Sequence, residues 1–175
     1  MSCDLSLLDA AVGDEAALAR ALRCAVSPGW VVFPAALARV RDAVAADPGG
    51  ARWGARLFVV DEPRTLVGWG GFKGPPGDDG AVELGYAIAP AWEGRGIATA
   101  AVRELLREAW AAPEVEMAIA HTLPGPNASV RVLEKTGFAH DGEHRDGDVG
   151  MVWRFRLNRG TAVGGVRSSG REPGR

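Results

Sequence analysis

The stretch VELGYAIAPAWEGRGIATAAVRELL, residues 82–106, joins a strand, a glycine-rich turn and a helix in one run. Residues 81–89 are apolar enough to predict a largely buried strand, which Pro90 terminates. From Ile97 onward apolar residues recur at helical spacing and charged residues fall on the opposite face, so this segment predicts an amphipathic helix. The order strand, turn, helix is the unit around which the rest of the chain is arranged.

The turn between strand and helix supplies backbone amides that have no helical partner. The amides of residues 94–98 lie at or before the helix N-terminus, where the first N–H groups lack intrahelical acceptors. These donors and the positive end of the helix dipole attract an anion, and glycine lets a bulky anion approach the backbone. Arg95 adds a charge that suits phosphate. A turn whose glycines only close the loop is the alternative that this stretch leaves open.

Patterns on both sides of this unit predict one α/β domain built on a mixed sheet. The sequence has neither the third glycine of the dinucleotide fingerprint nor the Gly-Lys-Ser/Thr of a P-loop at the turn. The segment 158–175 is rich in glycine and arginine and poor in packing residues, so we expect a single domain over 1–157 and a disordered tail. The predicted elements are helices at 15–25, 35–46, 97–110 and 128–137, strands at 57–61, 65–73, 81–89 and 115–122, and a closing hairpin at 138–157.

Composition excludes several classes of protein. A net charge of −2 gives no general attraction to nucleic acid or anionic lipid, and no run of about 18 apolar residues predicts a membrane span. The opening residues do not resemble a signal peptide, and Cys3 and Cys24 lack metal-like spacing, so we expect reduced thiols and a cytoplasmic protein. The acidic, histidine-containing segment 140–148 is typical of a solvated turn, and we expect no metal site.

A second unit, HTLPGPNASVRVLEKTGF at residues 121–138, follows the first in the order strand, loop, helix. With these two motifs in this order, the sequence over roughly residues 55–157 resembles the GNAT superfamily of acyl-CoA-dependent N-acyltransferases. Within it, the chain looks most like the branch that includes ribosomal-protein N-terminal acetyltransferases. The resemblance implies a central, mostly antiparallel sheet, splayed between two strands and flanked by helices. It also implies transfer of an acetyl group from acetyl-CoA to a primary amine, on a protein N-terminus or a small molecule.

The resemblance also implies where the cofactor binds. The backbone at Ile88 and Ala89 would pair with the pantetheine arm, and the gap between strands 81–89 and 115–122 would admit the thioester. Asn127 would contact the cofactor, although it is equally suited to capping the helix that follows. Glu93 stands where relatives carry Gln or Arg. The pyrophosphate would lie against the turn and first helical residues, Gly94, Arg95, Gly96, Ile97, Ala98 and Thr99.

Acetyl transfer requires a deprotonated amine, and Glu83 is the candidate base. A carboxylate in an apolar strand is costly to bury and, if unpaired, has a raised pKa. An ion pair or exposure to solvent is the alternative. His121 either lines the acceptor side or is structural.

The leaving thiolate has no obvious proton donor in the sequence. Relatives carry a tyrosine where this chain has Leu133, so water or Ser129 remain as donors, while Tyr86 suits a core or substrate wall. A non-catalytic acyl-CoA-binding or regulatory module on the same fold is therefore the competing hypothesis. Sheet edges of such a fold also permit a homodimer.

Overall fold

The computed structural model describes residues 3–147 and 149–162, and these residues form a seven-stranded mixed sheet with helices on its faces. Two short 3-10 helices lie at Pro48–Trp53 and Pro90–Trp92. None of the described helices is both long enough and apolar enough to span a bilayer. The helices are α1 (Leu5–Gly13), α2 (Glu15–Leu22), α3 (Pro34–Ala46), α4 (Ile97–Trp110), α5 (Ala128–Lys135) and α6 (Arg159–Ala162). The strands are β1 (Ala25–Val26), β2 (Ala55–Asp61), β3 (Arg64–Phe72), β4 (Ala81–Ile88), β5 (Met117–Thr122), β6 (Ala139–Asp146) and β7 (Gly150–Asn158).

The strands are arranged in the order β1-β3-β4-β5-β7-β6, with β2 on the other edge of β3. Antiparallel ladders join β2 to β3, β3 to β4, β5 to β7 and β6 to β7. Only β1 with β3 and β4 with β5 pair in parallel. The prediction of a mostly antiparallel mixed sheet is therefore confirmed.

The central parallel pair is short. β4 and β5 pair only from Ala81 with Met117 to Glu83 with Ile119. Beyond these residues β4 continues along β3, whereas β5 continues along β7. The two strands therefore diverge, and the sheet is splayed between them as expected.

Two apolar clusters hold the layers together. One joins α4 and α5 to β4, β5 and β7, and it includes the buried face of α4 that the sequence predicts: Val102, Leu105, Leu106 and Ala109. The other packs α1, α2 and α3 against β2 and β3. Helices α4 and α5 thus pack on the C-terminal half of the sheet, and α1, α2 and α3 pack on its N-terminal half.

A buried arginine fixes α4 relative to β2. Arg56 donates from Nε and Nη2 to Oε2 of Glu108 on α4, at 2.9 and 2.7 Å. Its other donors reach backbone carbonyls of Arg52, Gly54 and Ala55. A buried guanidinium needs such a full set of acceptors, and this set ties the helix to the sheet.

The structure adds ordered elements at both ends of the domain. α1 precedes the first helix that the sequence predicts, and Asp4 caps it by accepting from the amide of Leu7 at 2.8 Å. At the other end Asn158 is the last residue of β7, and Arg159 in α6 donates to the carbonyls of Ala112 and Pro113, just after α4. The single domain and the disordered tail stay predictions, and residues 163–175 lie outside the described part of the chain.

Candidate active site

The glycine-rich turn presents a row of amides to solvent. Gly94 and Gly96 have positive φ values of 73° and 79°, a conformation that glycine adopts without strain. A Cβ at either position would meet no atom within 4 Å, so the space in front of the turn is open. Gly96 is the N-cap of α4 and has no side-chain capping bond. In the part of the chain that the structure describes, no acceptor bonds the amides of residues 94–99.

Arg95 is held beside this turn by an aromatic ring. Its guanidinium lies 4.6 Å from the ring centroid of Trp92, in cation–π geometry. The indole Nε1 of Trp92 donates to Oγ of Ser27 at 3.0 Å, which fixes the ring. The charge of Arg95 therefore stays at the exposed mouth of the turn, where an anion on the amides would meet it.

The open edge of β4 leads to this turn. Lys73 donates its amide to the carbonyl of Glu83, and Ala89 donates its amide to the carbonyl of Val67. Because backbone groups alternate between the two edges of a strand, Tyr86 and Ile88 direct theirs away from β3. That is the edge from which β5 has diverged.

Ile88 and Ala89 differ in what their backbones offer. Ile88 lies on the open edge and is free to pair with an extended ligand. The amide of Ala89 bonds Val67, and its carbonyl accepts from the amide of Trp92 at 2.8 Å. The backbone groups of Ala89 thus have partners within the fold, so Ile88 is the better placed of the two, and the cofactor contact expected of Ala89 stays a prediction.

Glu83 is paired with two side chains. Its Oε1 lies 2.8 Å from Nδ1 of His121 on β5 and is also in contact with Nζ of Lys73 just after β3. The Glu83 side chain is 27% exposed, so the pair is reached from solvent. Since Val82 and Leu84 face the helices, Glu83 and its partners lie on the opposite face of the sheet.

The pKa of Glu83 follows from these contacts. Burial by itself raises the pKa of this carboxyl, but hydrogen bonds and charge from Lys73 and His121 outweigh burial, and the pKa is lowered. Glu83 is therefore not an unpaired carboxylate with a raised pKa: it is the ion-paired alternative, because Lys73 and His121 are its partners. Glu83 is ionised at neutral pH.

The imidazole of His121 is largely buried. Its side chain is 16% exposed, and Nε2 is buried with no hydrogen-bond partner among residues 3–147 and 149–162. The ring of His144 on β6 lies 5.1 Å away, centroid to centroid. Arg154 on β7 pairs with His121 across the ladder and so shares its face of the sheet.

Tyr86 crosses from β4 to α5 on the helix side. Its hydroxyl lies 3.0 Å from Oγ of Ser129, and burial raises the pKa of this phenol. Leu133, in the position where relatives carry tyrosine, is fully buried in the core. Ser129 is thus the hydroxyl that α5 brings to the gap between β4 and β5.

Asn127 is the N-cap of α5. Its Oδ1 accepts from the amide of Val130 at 2.9 Å, and its Nδ2 donates to the carbonyls of Leu123 and Gly125. These bonds explain why an asparagine ends the loop. The cofactor contact expected of Asn127 stays a prediction.

The sequence does not predict two features of the site. These are the contact of Lys73 with Glu83 and the contact of His121 with Glu83. The signal for Lys73 is the antiparallel register of β3 and β4, which sets Lys73 opposite Glu83. The sequence alone does not fix this register, because the register depends on how the loop at 74–80 connects the two strands.

Comparison with known proteins identifies the family. The family described as "Acetyltransferase (GNAT) domain" matches residues 8–139. YdaF of Bacillus subtilis, named as a ribosomal N-acetyltransferase, is 40% identical over 65 residues. That alignment covers 37% of this chain and 36% of YdaF, about a third of each.

Solved structures agree with this fold. The ribosomal-protein-S5-alanine acetyltransferase of Vibrio fischeri matches with a TM-score of 0.63 and 16% identity, over 90% of this chain and 91% of that chain. Aminoglycoside acetyltransferase AAC(6')-Ib, solved with coenzyme A, matches with a TM-score of 0.61 and 16% identity, over 92% and 94%. Mycobacterium smegmatis RimJ, solved with CoA-disulfide, matches with a TM-score of 0.57 and 23% identity, over 74% and 64%. Since the family match spans most of the chain, this protein belongs to the GNAT acetyltransferase family.

Proposed function

We propose that the protein transfers an acetyl group from acetyl-CoA to a primary amine. The observation that carries the proposal is the continuity of two features: the open edge of β4 at Tyr86 and Ile88 runs into the unpartnered amides of residues 94–99. An extended, amide-containing arm that ends in a diphosphate fits this sequence of groups. Relatives of the same family are solved with coenzyme A or CoA-disulfide, which supports the choice of ligand.

The residues present fit acetyl-CoA on three counts. Gly94 and Gly96 leave open space where a side chain would block a diphosphate. The amides of residues 94–99 supply donors, and Arg95 supplies charge. Ile88 offers backbone groups to the pantetheine arm. The bound cofactor supplies the activated thioester, and the chain supplies its position in the gap between β4 and β5.

The acceptor amine is proposed to approach from the face that carries Glu83. Lys73 already places a primary ammonium against this carboxylate from a half-exposed position. An acceptor ammonium has the same charge and geometry, so the site suits its binding. The carboxylate thus attracts the acceptor and takes part in its deprotonation.

The leaving thiolate is proposed to take its proton from Ser129 or from water. Ser129 is in hydrogen-bond contact with Tyr86, and both lie beside the gap. A backbone N–H on the open edge of β4, at Ile88, is placed to stabilise an oxyanion. No tyrosine occupies the position of Leu133, so this enzyme would use a different donor from relatives that have one.

The names of two relatives support a choice between the acceptor classes. We favour a protein N-terminus, because YdaF and the Vibrio fischeri protein are named for ribosomal proteins, ahead of a small-molecule amine. The cytoplasm, as the compartment, and a homodimer are part of the same proposal. Free Cys3 and Cys24 suit a reducing compartment, and the dodecameric spermidine N-acetyltransferase from Vibrio cholerae shows that the fold supports assembly.

A non-catalytic module that binds acyl-CoA is the second candidate. The full burial of Leu133 favours it, because this position lacks the proton donor of relatives. Release of free thiol from acetyl-CoA in the presence of peptide and small-molecule amines separates the two. Binding of the cofactor without release of thiol for any amine would contradict the enzyme.

We predict that Gly96→Asp weakens acetyl-CoA affinity by about tenfold or more, because the new carboxylate repels the diphosphate at the helix N-terminus. Aspartate tolerates positive φ better than most residues, so the fold should persist. Isothermal titration with acetyl-CoA measures the effect. Gly150→Asp is the matched control, since Gly150 has a φ of 85° and open space in the β6–β7 hairpin. Equal affinities for the two variants would contradict the assigned diphosphate site.

A further inference from the structure

The Glu83–His121 pair has a defined direction. An ionised carboxylate only accepts hydrogen bonds, so the 2.8 Å contact requires Nδ1 of His121 to be the donor. In a neutral imidazole only one nitrogen carries a proton. Nε2 of His121 is therefore the basic nitrogen, with its lone pair free.

This lone pair is buried without a partner. Nε2 has no hydrogen bond within the described part of the chain, and its accessible surface is negligible. A buried polar atom without a partner destabilises a fold, so such atoms are uncommon and point to a functional role. Beside an acyl-transfer cleft, the role of such an atom would be to accept a proton from the acceptor amine.

Resting on the acetyl transfer proposed above, we propose that His121 accepts the proton of the acceptor amine and that Glu83 is the positioning residue that holds its ring. Glu83 fixes the tautomer through Nδ1 and stabilises the imidazolium that forms. His121 belongs to β5 and Glu83 to β4, so the pair bridges the two strands where they begin to diverge.

The proton balance is complete with this assignment. An acceptor ammonium gives one proton to Nε2, and the neutral amine then attacks the thioester carbonyl. The new N–C bond forms, the C–S bond breaks, and sulfur leaves with the electron pair. The thiolate takes a proton from Ser129 or water, the second proton lost by the attacking nitrogen replaces it there, and the imidazolium returns its proton to solvent. An amide, a thiol and one proton are the products.

Charged and polar groups from four parts of the fold surround His121. Glu83 on β4 is the anion beside the ring, and Arg154 on β7 and Lys73 after β3 are the nearby cations. His144 on β6 is a second imidazole against the ring. Arg154 is also paired with Asp141, at 3.5 Å. His144 itself is exposed.

Glu83 is the weaker candidate for the base itself. Its Oε1 is already shared by His121 and Lys73, and the two contacts lower the pKa of the carboxyl. General bases work best when their pKa lies near the working pH, and imidazole is the side chain that ordinarily does so.

The test compares variants that separate the two residues. His121→Asn keeps a donor near the position of Nδ1 and removes Nε2, and His121→Ala removes the whole ring. We expect kcat/KM to fall by about 100-fold or more in both, and added imidazole to restore part of the activity of His121→Ala. Glu83→Gln should keep part of the activity, because its amide oxygen still accepts a hydrogen bond from Nδ1 and holds the ring, whereas Glu83→Ala should lose more of the activity.

A nearby histidine serves as the control. The ring of His140 packs against Trp153 and Phe155, and the proposal gives His140 no role in the reaction. His140→Ala should therefore keep the wild-type rate. Wild-type turnover together with an unimpaired His121→Ala would overturn the inference and leave the proposed function intact. Loss of activity in Glu83→Gln with no imidazole rescue of His121→Ala would also overturn it, in favour of Glu83 as the base. A wild-type enzyme without turnover of any amine would overturn the proposed function and this role with it.

Discussion

Glu83 carries a charge between apolar residues of β4. Two side chains stabilise that charge, one on β5 and one just after β3. The sequence marks the residue, because a single carboxylate interrupts an apolar run. It does not give the partners, since Lys73 and His121 meet Glu83 only through the registers of β3 with β4 and β4 with β5. The sign of the pKa change therefore depends on tertiary structure, and burial alone predicts the opposite direction.

This pairing makes stability depend on pH at one residue. We predict that Glu83→Gln lowers the free energy of unfolding at neutral pH and that its difference from wild type narrows in acid. A carboxyl whose pKa is lower in the folded chain contributes stability above its unfolded pKa and loses it as pH falls through its folded pKa. The loss therefore occurs below the ordinary carboxyl value of 4.5. Urea unfolding between about pH 7 and pH 3 measures it.

Glu104 provides the comparison. It pairs with Arg107 on the exposed face of α4, and this hydrogen bond also lowers the pKa of its carboxyl. Solvent screens such a pair, so Glu104→Gln should change the free energy of unfolding much less. A difference between Glu83→Gln and wild type that stays constant with pH would contradict the account of Glu83.

Helix α5 illustrates how one residue decides where an element begins. Asn127 bonds the amide of Val130 and two loop carbonyls, so the loop and the helix share one side chain. The sequence leaves open whether Asn127 caps the helix, and the structure shows that it does.

We predict that Asn127→Ala lowers the free energy of unfolding by about 1 kcal/mol, the usual effect of losing an N-cap. Asn127→Asp, which keeps the capping oxygen, should lose less. Thermal or urea unfolding gives the stability change, and titration with acetyl-CoA gives the affinity in parallel. Unchanged stability would contradict the capping role, and a loss of affinity in both variants would support the cofactor contact.

The elements that sequence predicts best are those with strong periodicity. The buried face of α4 follows from residue spacing alone and is confirmed. Helix α1 is missed because its apolar residues are too dense to show a face, and β1 because two residues give no pattern. Composition also does not reveal that Arg159 donates to carbonyls of the loop after α4, which is distant in the sequence.

At the scale of the whole molecule, the position of the cleft follows from a change of partner. β4 follows β3 and β5 follows β7 after only three paired positions, so the gap opens where Glu83 and Ile119 end their pairing. The two sequence motifs, strand-turn-helix and strand-loop-helix, predict that both sides of such a gap exist. They do not predict which side chains face each other across it, because that depends on the lengths and shapes of loops outside the motifs.

The most direct test of the account is amide NMR of the full chain during titration with coenzyme A. We predict that the largest chemical-shift changes occur at the amides of residues 94–99 and at Ile88, because these donors lack partners in the free protein and receive them from the ligand. Shifts confined to other regions of the chain, or no shifts at all, would contradict the assignment of this turn and strand edge as the cofactor site.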